Sequence, residues 1–286
     1  MKTITLLAHA KLNLSLDISG LREDGYHQMD MVMQSVSLSD RVSVQREERL
    51  TPESFPFGEK DIAFKAARAF FRETGLRGGA EVTVEKKIPD QAGMAGGSAD
   101  AAAVLIALDR LYKTGLNREE LIRIGVTAGA DVPFCLVGGT ARVSGIGEIV
   151  CPLPFFGKGN YLIVKPPFGV STPAAFSAFD RMGEKAGRPD NEALISALQE
   201  GRFEGIGRLT GNVLETAAGI PEIREIRAAL IRAGARFSLM TGSGSAVFGW
   251  FETKEKADSA RKALLPYGKV FVADPEPEGV SILSEK

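Results

Sequence analysis

Ile88-Pro89-Asp90-Gln91-Ala92-Gly93-Met94-Ala95-Gly96-Gly97-Ser98-Ala99-Asp100-Ala101-Ala102-Ala103 is the stretch on which the reading of this chain turns. Pro89 closes a strand-like segment, Ala80 to Ile88. Gly93, Gly96 and Gly97 then let backbone N–H groups approach a ligand with no side chain between. Ser98 has the chemistry of a helix N-cap, and Ala101 to Leu111 is strong helix sequence. A glycine-rich loop opening onto a helix N-terminus suits an anion, phosphate above all, because unpaired N–H groups and the helix dipole converge there. The loop is neither GxxxxGK[ST] nor GxGxxG, so the familiar P-loop and dinucleotide fingerprints are excluded. On its own it also reads as a tight connection.

Working outward, Lys11 to Ile18 alternates as a strand does. Leu12, Leu14, Leu16 and Ile18 fall on one face, and Lys11, Asn13, Ser15 and Asp17 on the other, which alone reads as a solvated face. A turn follows at Arg22-Glu23-Asp24-Gly25, then strands at Val32 to Leu38 and Arg41 to Val44. Asp61 to Thr74 reads as a helix stopped by Gly75, and Asn117 caps another running to about Ala128. Thr140 to Pro152 reads as a hairpin. Phe155-Phe156-Gly157-Lys158-Gly159 is the expected boundary between domains at 1–156 and 157–286. Beyond it come a strand at Tyr161 to Val164, helices near Pro173 to Met182, Asn191 to Gln199 and Pro221 to Ala233, and a strand–turn–strand over Phe237 to Phe251. A helix at Lys254 to Leu264 and a strand at Val270 to Ala273 finish the pattern. Strands separated by short polar turns, with helices grouped between them, favour α+β over regular βαβ alternation.

The 286 residues suffice for one large domain or two ordinary ones. A hydrophobic share of 44% and a charged share of 25% are those of a soluble globular protein. A net charge of −1 argues against nucleic acid or an anionic membrane as partner. No apolar run approaches a bilayer-spanning length. Lys2, a short apolar run and Ala8-His9-Ala10 mimic a signal peptide, but Ile4 to Leu7 is too short and contains Thr5, so a strand of a cytoplasmic protein is expected. Cys135 and Cys151 have no metal or CxxC spacing, and Cys135 reads as a small core residue.

Two further segments carry chemistry. Gly129-Ala130-Asp131-Val132-Pro133-Phe134 sets one carboxylate beside an apolar run. There it caps a turn or needs a cation, which Lys11 would supply. Gly129 suits a helix C-cap, and Pro133 disfavours helix at Val132. Thr241-Gly242-Ser243-Gly244-Ser245-Ala246 is a second glycine/serine turn, a hairpin loop or an anion loop.

Taken in order, Lys11-Leu12-Asn13-Leu14, Asp24-Gly25-Tyr26-His27, the Pro89 to Ala99 loop, Gly129 to Phe134 and Gly242-Ser243-Gly244-Ser245-Ala246 resemble the GHMP-type small-molecule kinases. Within that superfamily the likeness is to kinases of a cytidine-diphosphate-linked methylerythritol in the non-mevalonate isoprenoid route, over about Ala8 to Phe251. The resemblance implies a two-domain α+β fold, a ribosomal protein S5 domain 2-like N-terminal domain and a GHMP kinase C-terminal domain, with the active site in the cleft between them. It implies transfer of the ATP γ-phosphoryl to the 2-hydroxyl of that substrate. Lys11 and Asp131 would be the catalytic pair. Pro89, Asp90, Gln91, Ala92, Gly93, Met94, Ala95, Gly96, Gly97, Ser98 and Ala99 would hold the ATP phosphates.

By the same resemblance, Tyr26 would stack on the cytosine, His27 hydrogen-bond it and Phe176 cover its other face. Asn13 and Thr172 would be polar contacts in the same pocket, and Gly242, Ser243 and Gly244 would complete it. Mg²⁺ is expected mainly through phosphates and water. Ala95 departs from the superfamily's Gly-Leu-Gly pattern, and Ser98 is the one hydroxyl the loop offers a metal. A monomer or weak homodimer is expected. The alternatives are another GHMP kinase, acting on homoserine, mevalonate or a sugar, and a non-catalytic nucleotide-binding module.

Overall fold

The computed structural model describes residues 2–182 and 188–285. In chain order the elements are β1 (Thr3–Leu21), β2 (His27–Glu47), α1 (Ile62–Thr74), β3 (Gly79–Glu85), α2 (Gly96–Tyr112), α3 (Arg118–Val126), α4 (Val132–Val137), β4 (Thr140–Gly145), β5 (Ile149–Pro152) and β6 (Asn160–Lys165). They continue with α5 (Thr172–Met182), α6 (Asn191–Gln199), β7 (Gly211–Asn212), α7 (Val213–Ala218), α8 (Pro221–Arg232), β8 (Phe237–Met240), β9 (Val247–Phe251), α9 (Lys254–Leu264), β10 (Lys269–Ala273) and β11 (Val280–Glu285).

Two sheets organise the chain. The larger has the order β11-β1-β2-β4-β5, with β3 also on β2 and the short β7 on β1; the smaller is β10-β6-β9-β8. Every pairing is antiparallel except β1 with β7. This is the α+β arrangement expected. Two segments expected as separate strands, around Val32 and Arg41, form the single β2, which changes partner instead of breaking. Its first half pairs with β4 and its second with β3, while β1 runs along the other edge. From beyond residue 157, β7 and β11 return to pair with β1 in the larger sheet.

The alternation of Lys11 to Ile18 is present, but its polar face is not solvated. Lys11, Asn13 and Ser15 are as buried as Leu12 and Leu14. The register with β2 shifts between Asn13 and Ser15. Leu12 and Leu14 belong to the core under α1 and α2, whereas Leu16 and Ile18 join a second core with Met31 and Met33.

Asp61 caps α1 by accepting from Ala63 N–H, and Gly75 closes it in the left-handed region. Asn117 and Glu120 form a reciprocal capping box on α3. Helix α2 begins three residues earlier than Ser98 would allow as its cap. Ala95 occupies the cap position at φ 59°, with no side-chain hydrogen bond, and Ser98 lies inside the first turn. Buried alanines 99, 101, 102, 103 and 107 let α2 lie close against its neighbours. Gly129 is not the α3 cap; Thr127 is. Pro133 sits in the first turn of α4, where no N–H is required of it, so helix begins at Val132 after all. Cys135 is buried, as expected, and burial pushes its thiol pKa up.

Candidate active site

Lys11 comes from the middle of β1, and Asp131 from the residue before α4. The Lys11 Nζ lies 4.0 Å from an Asp131 carboxylate oxygen; the Lys11 side chain is 4% exposed and that of Asp131 35%. A buried ammonium needs partners. Asn13 Oδ1 accepts from Lys11 Nζ at 2.7 Å, and from Gly242 N–H at 2.9 Å and Thr241 Oγ1 at 3.3 Å. Asn13 thus orients the lysine. Its side chain is fully buried, with its Oδ1 engaged by all three donors.

Lys11 and Asp131 face a cleft of about 870 Å³. Pro89 to Ser98 form one wall; Gly242, Ser243 and Gly244 meet them, and Thr172 and Phe176 close the far side. Met29, Met31 and Leu16 supply apolar lining. Ala99 does not line it: it is wholly buried in α2, one residue too deep in the helix. The first glycine loop is fixed by its own backbone and by its neighbours. Gln91 and Ala95 adopt positive φ of 50° and 59°, each at a cost of about 1–3 kcal/mol. Lys11 N–H donates to Met94 C=O, and Ser245 and Ala246 N–H donate to Gln91 and Ala92 C=O. The two glycine loops touch closely enough that a Cβ on Gly93 would lie 2.1 Å from Thr241 O.

The α2 N-terminus opens into this cleft with no side chain capping it, which leaves first-turn N–H groups for an anion. Beneath it sits a charged cluster that the sequence did not reveal. Lys86 Nζ bonds Asp40 at 2.6 Å and Asp100 at 2.8 Å. Burial pushes the Asp100 carboxyl up to about 7, with Lys86 opposing and Asp40 adding to the rise. Burial works against the Lys86 ammonium, but Asp100 and Asp40 outweigh it and hold its pKa above the ordinary value.

At the outer end, the His27 ring lies 4.8 Å from that of Phe176, and His27 Nε2 bonds Asp180 of α5 at 2.7 Å. Tyr26 is 60% exposed on the preceding turn and does not line the cleft. Of the three residues expected around the base, His27 and Phe176 are in ring contact, and Tyr26 stands exposed on the turn beside His27. Thr172 and Ser243 hydroxyls meet at 2.9 Å, bridging α5 to the second glycine loop.

This is the layout of a small-molecule phosphotransferase: an anion loop on a helix N-terminus, with an amine and an acid beside it. Residues 61–139 match the GHMP kinases N terminal domain and residues 194–268 the GHMP kinases C terminal domain. A 4-diphosphocytidyl-2-C-methyl-D-erythritol kinase of Carboxydothermus hydrogenoformans is 42% identical over 97% of this chain and 99% of its own. A solved 4-(cytidine 5'-diphospho)-2C-methyl-D-erythritol kinase superposes with a TM-score of 0.79 at 35% identity, covering 95% of this chain and 98% of that one. A homoserine kinase from Cytophaga hutchinsonii has a TM-score of 0.78 at 20% identity, covering 98% and 97%, and shares the fold. The chain belongs to the GHMP kinases and, within them, to the 4-diphosphocytidyl-2-C-methyl-D-erythritol kinase family.

Among the described residues no helix is long and apolar enough to cross a membrane. Nor, among them, does any group of three or more His, Cys, Asp or Glu side chains offer a metal site.

Proposed function

We propose that the chain transfers the γ-phosphoryl group of ATP to the 2-hydroxyl of 4-(cytidine 5'-diphospho)-2-C-methyl-D-erythritol, giving the 2-phosphate and ADP in the non-mevalonate supply of isoprenoid precursors. The names of its relatives at about 40% identity favour this acceptor over homoserine or mevalonate. The observation that carries the chemistry is the Lys11–Asp131 pair, 4.0 Å apart and facing the glycine-loop cleft.

Asp131, the more exposed partner, takes the proton of the attacking hydroxyl. The substrate oxygen then forms its bond to the γ-phosphorus while the β–γ bridging bond breaks, its electron pair leaving with ADP. The Lys11 ammonium stabilises negative charge on the group in transit. The uncapped N–H groups at the start of α2 and the backbone of Pro89 to Ser98 hold the phosphates. The donors suit a nucleotide polyphosphate accompanied by Mg²⁺, which would neutralise phosphate charge; Ser98 is the hydroxyl that the loop would offer it, and the phosphates and water would supply its other ligands. In this reading Tyr26, His27, Phe176 and Thr172 would bind the base and its linker.

An ADP-release assay with the cytidine-diphospho substrate tests the reading, with homoserine and mevalonate as competing acceptors. Turnover confined to the cytidine substrate, inhibited by CDP, is the expected result. In Asp131→Ala, kcat should fall by about 10²–10⁴-fold with little change in nucleotide affinity. Wild-type turnover in that variant would remove the base assignment.

A further inference from the structure

We infer that Asn212 is a positioning residue of the transfer reaction, acting through the second glycine loop on Lys11. The inference rests on Lys11 and Asp131 as the transfer pair. Asn212 ends β7, is 4% exposed, and touches neither Lys11 nor Asp131. Every hydrogen-bonding position of its amide is used. Oδ1 accepts from Leu214 and Glu215 N–H at 3.0 and 3.3 Å, capping α7. Nδ2 donates to Met240 and Gly242 C=O, both at 2.8 Å. Glu215 adds a third grip on the same segment, its carboxylate accepting from Met240 N–H at 2.7 Å.

Gly242 is thereby held from two sides. Its C=O is bound by Asn212, and its N–H by Asn13, whose Oδ1 also holds Lys11 Nζ. The two asparagines reside on paired strands, since Leu16 of β1 is the ladder partner of Asn212. A continuous path of hydrogen bonds thus runs from α7 through Gly242 and Asn13 to the ammonium in the cleft. Loosening the Gly242 carbonyl frees the residue whose N–H anchors Asn13 Oδ1, and the lysine bonded to that oxygen loses its fixed direction. An error of about 1 Å in a reacting group costs roughly 10²-fold in rate.

A bland role must be separated from this one, because Asn212 is also a helix cap. Asp and Ser both cap well, so Asn212→Asp and Asn212→Ser keep α7. Asp places an acceptor against two carbonyl oxygens, and Ser removes both donors. In the full-length chain, kcat should fall about 10–100-fold in Asn212→Asp and about tenfold in Asn212→Ser, with both substrate KM values within about threefold. Amide hydrogen exchange should quicken in peptides covering 241–246 and stay at the wild-type rate in 213–218.

Wild-type kcat in Asn212→Asp would reduce the residue to a cap and overturn the inference. So would a loss confined to KM, or exchange raised throughout the chain. Lys11→Ala measured alongside separates the two readings: if it kept wild-type kcat, the transfer pair would be wrong, whereas the exchange data would still judge the grip on Gly242.

Discussion

The two glycine loops that meet in the cleft have similar composition and opposite construction. The first, Gly93 to Ser98, is shaped largely by its own backbone: left-handed Gln91 and Ala95, then a helix start whose N–H groups are left open. The second, Gly242 to Gly244, links two antiparallel strands and is held by side chains from far away in sequence, Asn13 and Asn212. A loop that must present its own N–H groups to a ligand cannot have them occupied by supports. A loop that sets the place of another group can be bonded on every side.

The largest expected effect breaks both loops at once. A Cβ on Gly93 would stand 2.1 Å from the Thr241 carbonyl oxygen, at a φ of 73°. Gly93→Ala should lower kcat/KM by more than about 10²-fold and stability by about 2–4 kcal/mol, read by steady-state kinetics and urea melts.

The supports should also differ in their response to pH. Asp100 lies under the first loop with its carboxyl raised from 3.8 to about 7. The folded state therefore binds its proton more tightly than the unfolded chain does. That contribution to stability is complete below about 3.8 and is lost as pH rises through about 7. Asp100→Asn should gain on the wild type by roughly 1–3 kcal/mol between pH 4 and 8 in thermal melts. The amides of Asn13 and Asn212 do not titrate, so Asn212→Ser should differ from wild type by a pH-independent amount.

Gly97→Ala is the milder test of the first loop. Its Cβ would meet only the flexible end of Ile62 at 3.2 Å, and φ is not positive. Stability should stay within about 1 kcal/mol, while the ATP KM rises severalfold because the methyl enters the cleft. Ser243→Ala removes only the hydroxyl contact to Thr172, and a two- to threefold fall in acceptor kcat/KM is expected from a single exposed hydrogen bond.

What the sequence disclosed divides along the same line. The first loop and its helix could be read because their cause is local: glycines, a preceding proline and an alanine-rich helix. Even there the cap was misplaced, since a left-handed Ala95 moves the helix start in a way no side chain signals. Lys11 and Asp131 could be paired through resemblance and through the need of a carboxylate in apolar surroundings for a cation. Asn212, Glu215, Asp180 and the Lys86–Asp40–Asp100 cluster could not be read, because each gains its role from a partner 14 to 153 positions away. Helix α7 is six residues long and β7 two, too short for any periodicity. The exposure of Tyr26 could not be read for a related reason: a turn motif fixes the backbone but not whether the ring faces inward.

One pairing bears on how the molecule comes into being. The strand that carries Lys11 is flanked on its outer edge by β11, over residues 4–8 against 280–285. During synthesis β1 and β2 can form their hairpin early, but that edge stays unsatisfied until residues 280–285 have left the ribosome. Contacts of such wide sequence separation close slowly. A bare edge, meanwhile, is an invitation to another nascent chain. Chaperone dependence during translation should therefore centre on the amino-terminal hairpin, the same ribbon that carries the lysine.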